Sequence, residues 1–402
     1  MSDHVKVPKA ERFDLKKASS LEGIFKAAAA IGIIGWVIFF AIDRSLGAHA
    51  WLFAFMYFFT VLCGCFFWNC LHHATDSEWS VVVRRQIENL SSLLKYIGVF
   101  FVPIALIILF GSKLLYAWMT ADPKHDSIMA GTKGGYLNLV FFWVRAGLFF
   151  FFLFWISNAL RSHSMAQDKD GKASHTISMR RLSVAGIPTL ALCLTFAGID
   201  WLQTLNHHWY STMWGVYLFA GAVGAAMALI VVTCKWLQTL GYLKPITEEH
   251  YHIMGKFLLA FTIFWAYIGF SQYMLITYAN IEEETVYFRL RNTGSWHILS
   301  TFLVFGRFFF MFIPLLFQGI KKSQSIMYCA VWILLMQFLD LYLIVMPEYS
   351  PAGFTIMGFL ATIFPWLAIA GSLGVLFLKH LGQGVTFPTK DPRLADSLKY
   401  SN

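Results

Sequence analysis

The chain has 402 residues, of which 58% are hydrophobic, 18% aromatic and only 13% charged. A soluble domain carries roughly 25% charged residues, so the composition excludes an ordinary soluble fold and predicts an all-α polytopic membrane protein. The formal charge of +9 then requires no nucleic-acid partner, because the positive-inside rule produces such an excess.

Residues 1–23 form a polar, basic N-terminal tail, too long before its apolar stretch to be a signal peptide. Apolar runs of about 17 to 26 residues follow along the whole chain, the length of a helical membrane crossing. The first, 24–42, is read as a flanking helix. Runs at 50–71, 93–112, 136–160 and 183–203 make a first four-helix bundle (50–203). Runs at 212–236, 253–278, 296–320 and 325–345 make a second (212–345). A last flanking helix at 354–378 precedes a tail at 379–402. Ten transmembrane helices place both termini on one side. Outside the spans, nineteen Lys and Arg residues fall on that side and six on the other, which predicts cytoplasmic termini. The six cysteines all lie in apolar runs, make no CxxC spacing and are read as small packing residues.

Eight charged residues fall inside the spans: Lys26, Lys95, Arg145, Asp200, Lys235, Lys256, Arg307 and Asp340. Each costs about 2.5–3.5 kcal/mol at mid-bilayer on insertion scales. Six of them pair across the chain: Lys95 with Lys256 and Arg145 with Arg307 at offsets of 161 and 162 residues, and Asp200 with Asp340 at 140, shorter because the loop after the fourth span is long while "KKSQ" after the eighth is tiny. Both arginines precede Phe runs, "RAGLFFFF" and "RFFFMF". The economical reading is a parallel internal repeat of the two bundles.

The 140-residue offset of the Asp200–Asp340 pair also aligns His208 with Glu348 in "DWLQTLNHHWY" and "DLYLIVMPEY". The adjacent His207 and His208 first suggest a metal or haem site; the repeat recasts the stretch as a doubled, outward-facing titratable element with no metal. A rise of 1.5 Å per residue puts Asp200 about 5 Å and Asp340 about 8 Å below the outer helix ends, with the arginines about 14–16 Å down on neighbouring spans. Each bundle is therefore expected to hold an Asp–Arg pair. Such a pair either fixes helix register or forms part of an outer proton half-channel with the histidines. Lys95 and Lys256, with Tyr96, His72 and His73, either line an inner half or snorkel to the interface.

No histidine sits well inside a span, which argues against an intrinsic bis-His haem. No nucleotide-binding or HExxH metalloprotease motif is present. The seventh span, "FWAYIGFSQYMLITYANIEEET", is the most polar aromatic one. Tyr267 and Ser271, four apart, share a face; with Gln272 they serve helix packing, a polar path or a quinone-sized pocket. Glu282, Glu283 and Glu284 are expected in an outer loop, as a solvated stretch or a docking patch.

The seventh-span stretch and "DWLQTLNHHWYSTMWGVYLFAGA" resemble signature stretches of the membrane subunits of alternative complex III. This bacterial inner-membrane quinol oxidoreductase belongs with the polysulfide- and nitrite-reductase membrane subunits. The shorter of its two related ten-span subunits, the F subunit, fits better than the C subunit; Thr277 and Glu282 depart from the pattern. The resemblance implies a redox-inert subunit of an electron-transport chain, acting as scaffold and proton-translocation pathway and not catalytic alone. It implies no cofactor in this chain, but haem c and iron–sulfur clusters in partners and menaquinone in the complex. The partners implied are a C-type membrane subunit, an iron–sulfur protein, multihaem and monohaem cytochromes c, small membrane subunits, lipids and a terminal oxidase. Two alternatives remain: a subunit that itself oxidises menaquinol at its outer face, with His207, His208 and Asp200 accepting protons, and a stand-alone secondary transporter.

Overall fold

A computed structural model describes residues 11–122 and 124–400. His4, Lys6 and Lys9 of the N-terminal tail lie outside the described residues. Among the described residues, ten helices are long and apolar enough to cross a membrane: α1 (Ser19–Ile42), α2 (Arg44–Ala74), α3 (Leu94–Gly111), α4 (Leu139–Asp170), α5 (Ala173–Trp201), α6 (Trp214–Thr239), α7 (Glu248–Ala279), α8 (Gly294–Leu316), α9 (Ser325–Tyr349) and α10 (Ile356–Gly382). Among the described residues there is no strand, only one isolated bridge between Arg12 and Val385. The chain is an all-α, multi-pass membrane protein.

Each predicted span falls on one of these helices, but most helices outrun their apolar runs. Polar caps decide the ends. Asp43 accepts the Leu46 N–H at 3.0 Å to start α2, and Asn138 accepts the Phe141 N–H at 2.9 Å to start α4, satisfying orphan amides of the first turn. Helix α4 runs on to Asp170 and stops at Gly171, whose φ of +70° suits a residue without Cβ. The bridge and a bond from Thr386 N–H to Glu11 O (3.2 Å) bring the two tails together. Their side is the terminal face.

Helix α2 is buried nearly throughout and touches α3, α5, α6, α9 and α10. It meets α6 at Gly64, where a Cβ would lie 2.3 Å from the Ala222 carbonyl oxygen; small residues let membrane helices approach this closely. Helices α2, α3, α4 and α5 form one closed ring of neighbours, and α6, α7, α8 and α9 another. Helix α1 lies against α10, with Gly32 and Gly371 each facing backbone of the other helix. A cavity of about 720 Å³, almost wholly apolar, lies among Phe25, Phe58, Trp236 and Trp366.

Two expectations about charge need correction. Arg84 and Arg85 are not loop charges. They sit on a short buried helix, Val81–Ser91, and are 0% and 1% exposed. Opposing acids hold them there: Asp391 lies 2.6 Å from Arg84, and Glu88 (3.0 Å) and Asp168 flank Arg85. Likewise Glu282, Glu283 and Glu284 do not form a loop; they open a helix, Glu282–Arg291, where the positive end of the helix dipole favours acids.

Candidate functional site

Both expected pairs form. Asp200, in the last turn of α5 and 1% exposed, meets Arg145 of α4 through two parallel bonds, Nε to Oδ2 at 2.7 Å and Nη2 to Oδ1 at 2.9 Å. This fork geometry is the strong form of the carboxylate–guanidinium contact. Arg145 also donates to Tyr136 O at 3.2 Å and stacks over that tyrosine's ring at 4.0 Å.

In the second ring Asp340 of α9 is 3% exposed and has a different set of partners. Arg307 Nη1 reaches its Oδ2 at 2.5 Å, Trp265 Nε1 donates to the same oxygen at 3.0 Å, and the Tyr217 hydroxyl donates to Oδ1. Arg307 donates its other amino group to Gln337 at 2.6 Å and lies 4.2 Å over the Trp265 ring. It sits on a π-helical stretch, Val304–Phe309, inside α8, an insertion often found at functional sites. Helix α9 extends to Tyr349, so Asp340 lies about 13 Å below its end, deeper than sequence spacing implied.

Beside Asp340 opens a cavity of about 500 Å³ between α6, α7, α8 and α9. Tyr217, Tyr267, Gln272, Tyr273 and Arg291 line it with aliphatic and aromatic side chains. Gln272 is only 6% exposed, and its amide makes no hydrogen bond to another described residue. Tyr267 is 64% exposed on the outer wall. Ser271 is not among the lining residues, so the pair expected to share a face divides: Tyr267 and Gln272 serve the cavity, Ser271 does not.

The proposed equivalence of His208 and Glu348 does not hold. Glu348 lies inside α9 and pairs with Arg291 at 3.1 Å. His207 and His208 turn to Asp126, at 2.7 and 3.7 Å from its Oδ2. Sequence reasoning passed over Asp126, which caps the short helix Ser127–Ala130 with its other oxygen; its only local signal is that capping position. The hydrogen bond from His207 above all, with the N–H groups of Met129 and Ile128, holds the Asp126 carboxyl below the usual range against partial desolvation. Lys133 donates to His207 O and, at 3.3 Å, to Trp209 O, and burial pushes its ammonium down despite the charge of Asp126.

Of the two readings of Lys95 and Lys256, the inner half with His72 and His73 does not assemble, and snorkelling to the interface remains. Lys256 is exposed, and Lys95 lies 4.7 Å over the Tyr96 ring; neither makes an ion pair or hydrogen bond with His72 or His73. Those histidines are buried at 1% exposure beside Glu88, 4.0 Å from His73. Burial acts to raise the Asp391 carboxyl, but Arg84 and Arg393 outweigh it and leave it below the usual range.

No family model matches the chain, and no curated protein matches it.

Proposed function

We propose that the chain is a redox-inert membrane subunit of a quinol-oxidising respiratory complex of the alternative complex III kind. It sits in a bacterial inner membrane with cytoplasmic termini, built as two tandem four-helix units. It serves as scaffold and as proton-conducting element. The observation that carries this reading is a buried aspartate paired with an arginine on corresponding helices of each ring, with the second of these aspartates bordering a cavity. The partners are the C-type sister subunit, the iron–sulfur protein and the cytochromes c, which hold the haem c and clusters.

The two pairs differ in their fitness for proton exchange. Asp200 spends both oxygens on one guanidinium, the geometry of a register-fixing ion pair. Asp340 shares its oxygens among an arginine, an indole and a phenol. When a proton neutralises Asp340, the Arg307 charge keeps Gln337 and the Trp265 ring as partners. Asp340 is therefore the better proton station, with Tyr217 as the group that relays to it.

A second reading is favoured by the unpartnered Gln272 amide: the cavity beside Asp340 takes a quinone head. The menaquinol-oxidising site then belongs to the second ring and not to His207, His208 and Asp200, whose histidines are held by Asp126.

Purification in mild detergent tests the assignment. The chain is expected to bring down haem-c proteins; recovery as a lone, stable, colourless protein would sink it. In the assembled complex, Asp340→Asn is expected to lower the proton-to-electron ratio while Asp200→Asn impairs assembly. An unchanged ratio with normal assembly for both removes the proton role. A photoreactive quinone that labels Gln272 or Tyr273 moves the balance to the second reading.

A further inference from the structure

On the face opposite the tails, Asp126, His207 and His208 each offer one ligand atom, and these atoms lie within 4.8 Å of one another. We propose that this cluster is a binding site for a borderline-soft divalent cation of the Zn²⁺ class. The inference is independent of the respiratory assignment.

The donor set suits the ion. Two imidazole nitrogens and one carboxylate oxygen are ordinary ligands of Zn²⁺, at about 2.0–2.2 Å each, which puts tetrahedral ligand atoms about 3.3 Å apart. The two spacings to the carboxylate bracket that value, 2.7 Å from Asp126 Oδ2 to His207 Nε2 and 3.7 Å to His208 Nε2, and all three ligand atoms lie within 4.8 Å of one another. Changes of up to about 1.5 Å at side-chain tips bring the three to tetrahedral spacing.

The surroundings orient the ligands, as outer-shell groups do in metal sites. Asp126 Oδ1 accepts the N–H groups of Ile128 (3.0 Å) and Met129 (3.3 Å), which leaves Oδ2 to the histidines. Lys133 holds the carbonyls of His207 and Trp209, and Trp209 stacks on Tyr287 at 4.2 Å, so the histidine turn is fixed on both sides. The Lys133 charge lowers the affinity without removing a ligand. The His208 side chain is 58% exposed, so the fourth coordination position opens to solvent and water.

The bound ion would link two segments far apart in sequence. One, residues 124–136, runs on to Tyr136, whose carbonyl and ring contact Arg145. The other is the turn after α5, whose His207 and His208 stand seven and eight residues beyond Asp200. The cation thereby staples the cover of the Arg145–Asp200 pair.

The untagged full chain, in detergent or nanodiscs, is titrated with Zn²⁺ against a chromophoric chelator and with Co²⁺ as a spectroscopic probe. Wild type is expected to take up one ion per chain, with tetrahedral Co²⁺ absorption. Asp126→Asn, which preserves the helix cap, and His208→Ala, at an exposed position, are each expected to weaken binding by about 10–100-fold or more. His125→Ala, close by but paired with Asp122, is expected to bind as wild type. Failure of wild type to bind at stoichiometric concentrations overturns the proposal. Undiminished binding in the Asp126 and His208 variants does so too, leaving adventitious surface coordination only.

Discussion

At the scale of single residues, the chain buries many charges and answers almost all of them. Arg84, Arg85, Asp200, Arg307 and Asp340 are each 4% exposed or less, and each has an opposite charge within 3.0 Å. Removing one partner of such a pair costs about 3–5 kcal/mol, since the other is left buried and uncompensated. Asp391→Ala is accordingly expected to release the C-terminal tail, because Arg84 and Arg393 both rely on that carboxylate. Limited proteolysis at neutral pH checks this; cleavage after Lys390 or Arg393 at the wild-type rate would refute it. The pH dependence follows from the lowered Asp391 carboxyl. A depressed folded value means that the pairing stabilises the tail above the ordinary Asp range, near 3.9, and is lost as pH falls through the folded value. Tail protection is therefore expected to stay flat from about pH 8 to 5 and to fail only below about 4.

At the scale of elements, close helix approach is set by glycine. Gly64 lets α2 reach the Ala222 carbonyl of α6, whereas nothing lies within 4 Å of a Cβ built at Gly147 on α4. Gly64→Ala is expected to lower the thermal unfolding midpoint in detergent, since overpacking costs about 1–3 kcal/mol or more. Gly147→Ala is expected to be neutral or slightly stabilising, because alanine favours helix by about 1 kcal/mol. Equal midpoints for the two variants would show that the α2–α6 contact is softer than its geometry. The π-helical stretch in α8 belongs at this scale too: it carries Arg307, which reaches Asp340 there.

For the whole molecule, orientation rests on the distribution of Lys and Arg. Burial withdraws Arg84, Arg85 and Lys321 from the terminal face and Arg291 from the opposite one. The excess on the terminal face survives, so cytoplasmic termini remain the expectation. All six native cysteines are free and buried, which leaves a low background for labelling. His208→Cys is expected to react with a membrane-impermeant maleimide in intact cells, and Lys399→Cys only after permeabilisation. The reverse pattern would invert the topology and move the outer half of any proton path to the cytoplasm.

The ten crossings, the even count and the pairing of Arg145 with Asp200 and Arg307 with Asp340 were legible in the amino-acid order. Lipid makes each crossing a continuous apolar run, and a charge inside such a run stands out against it. What surrounds those charges was not legible. Asp126 stands 81 residues from His207, and Asp391 stands 307 from Arg84; no local pattern marks such contacts. Nor does helical periodicity reveal that Tyr217 and Trp265 bond Asp340 or that Gln272 lines the cavity beside it, because aromatic and amide side chains pack between membrane helices in any case. Sequence alone determined which residues enter the membrane and which charges need an answer there. The tertiary structure decided which groups answer them, because only the packed helices bring the donors and acceptors within hydrogen-bond reach.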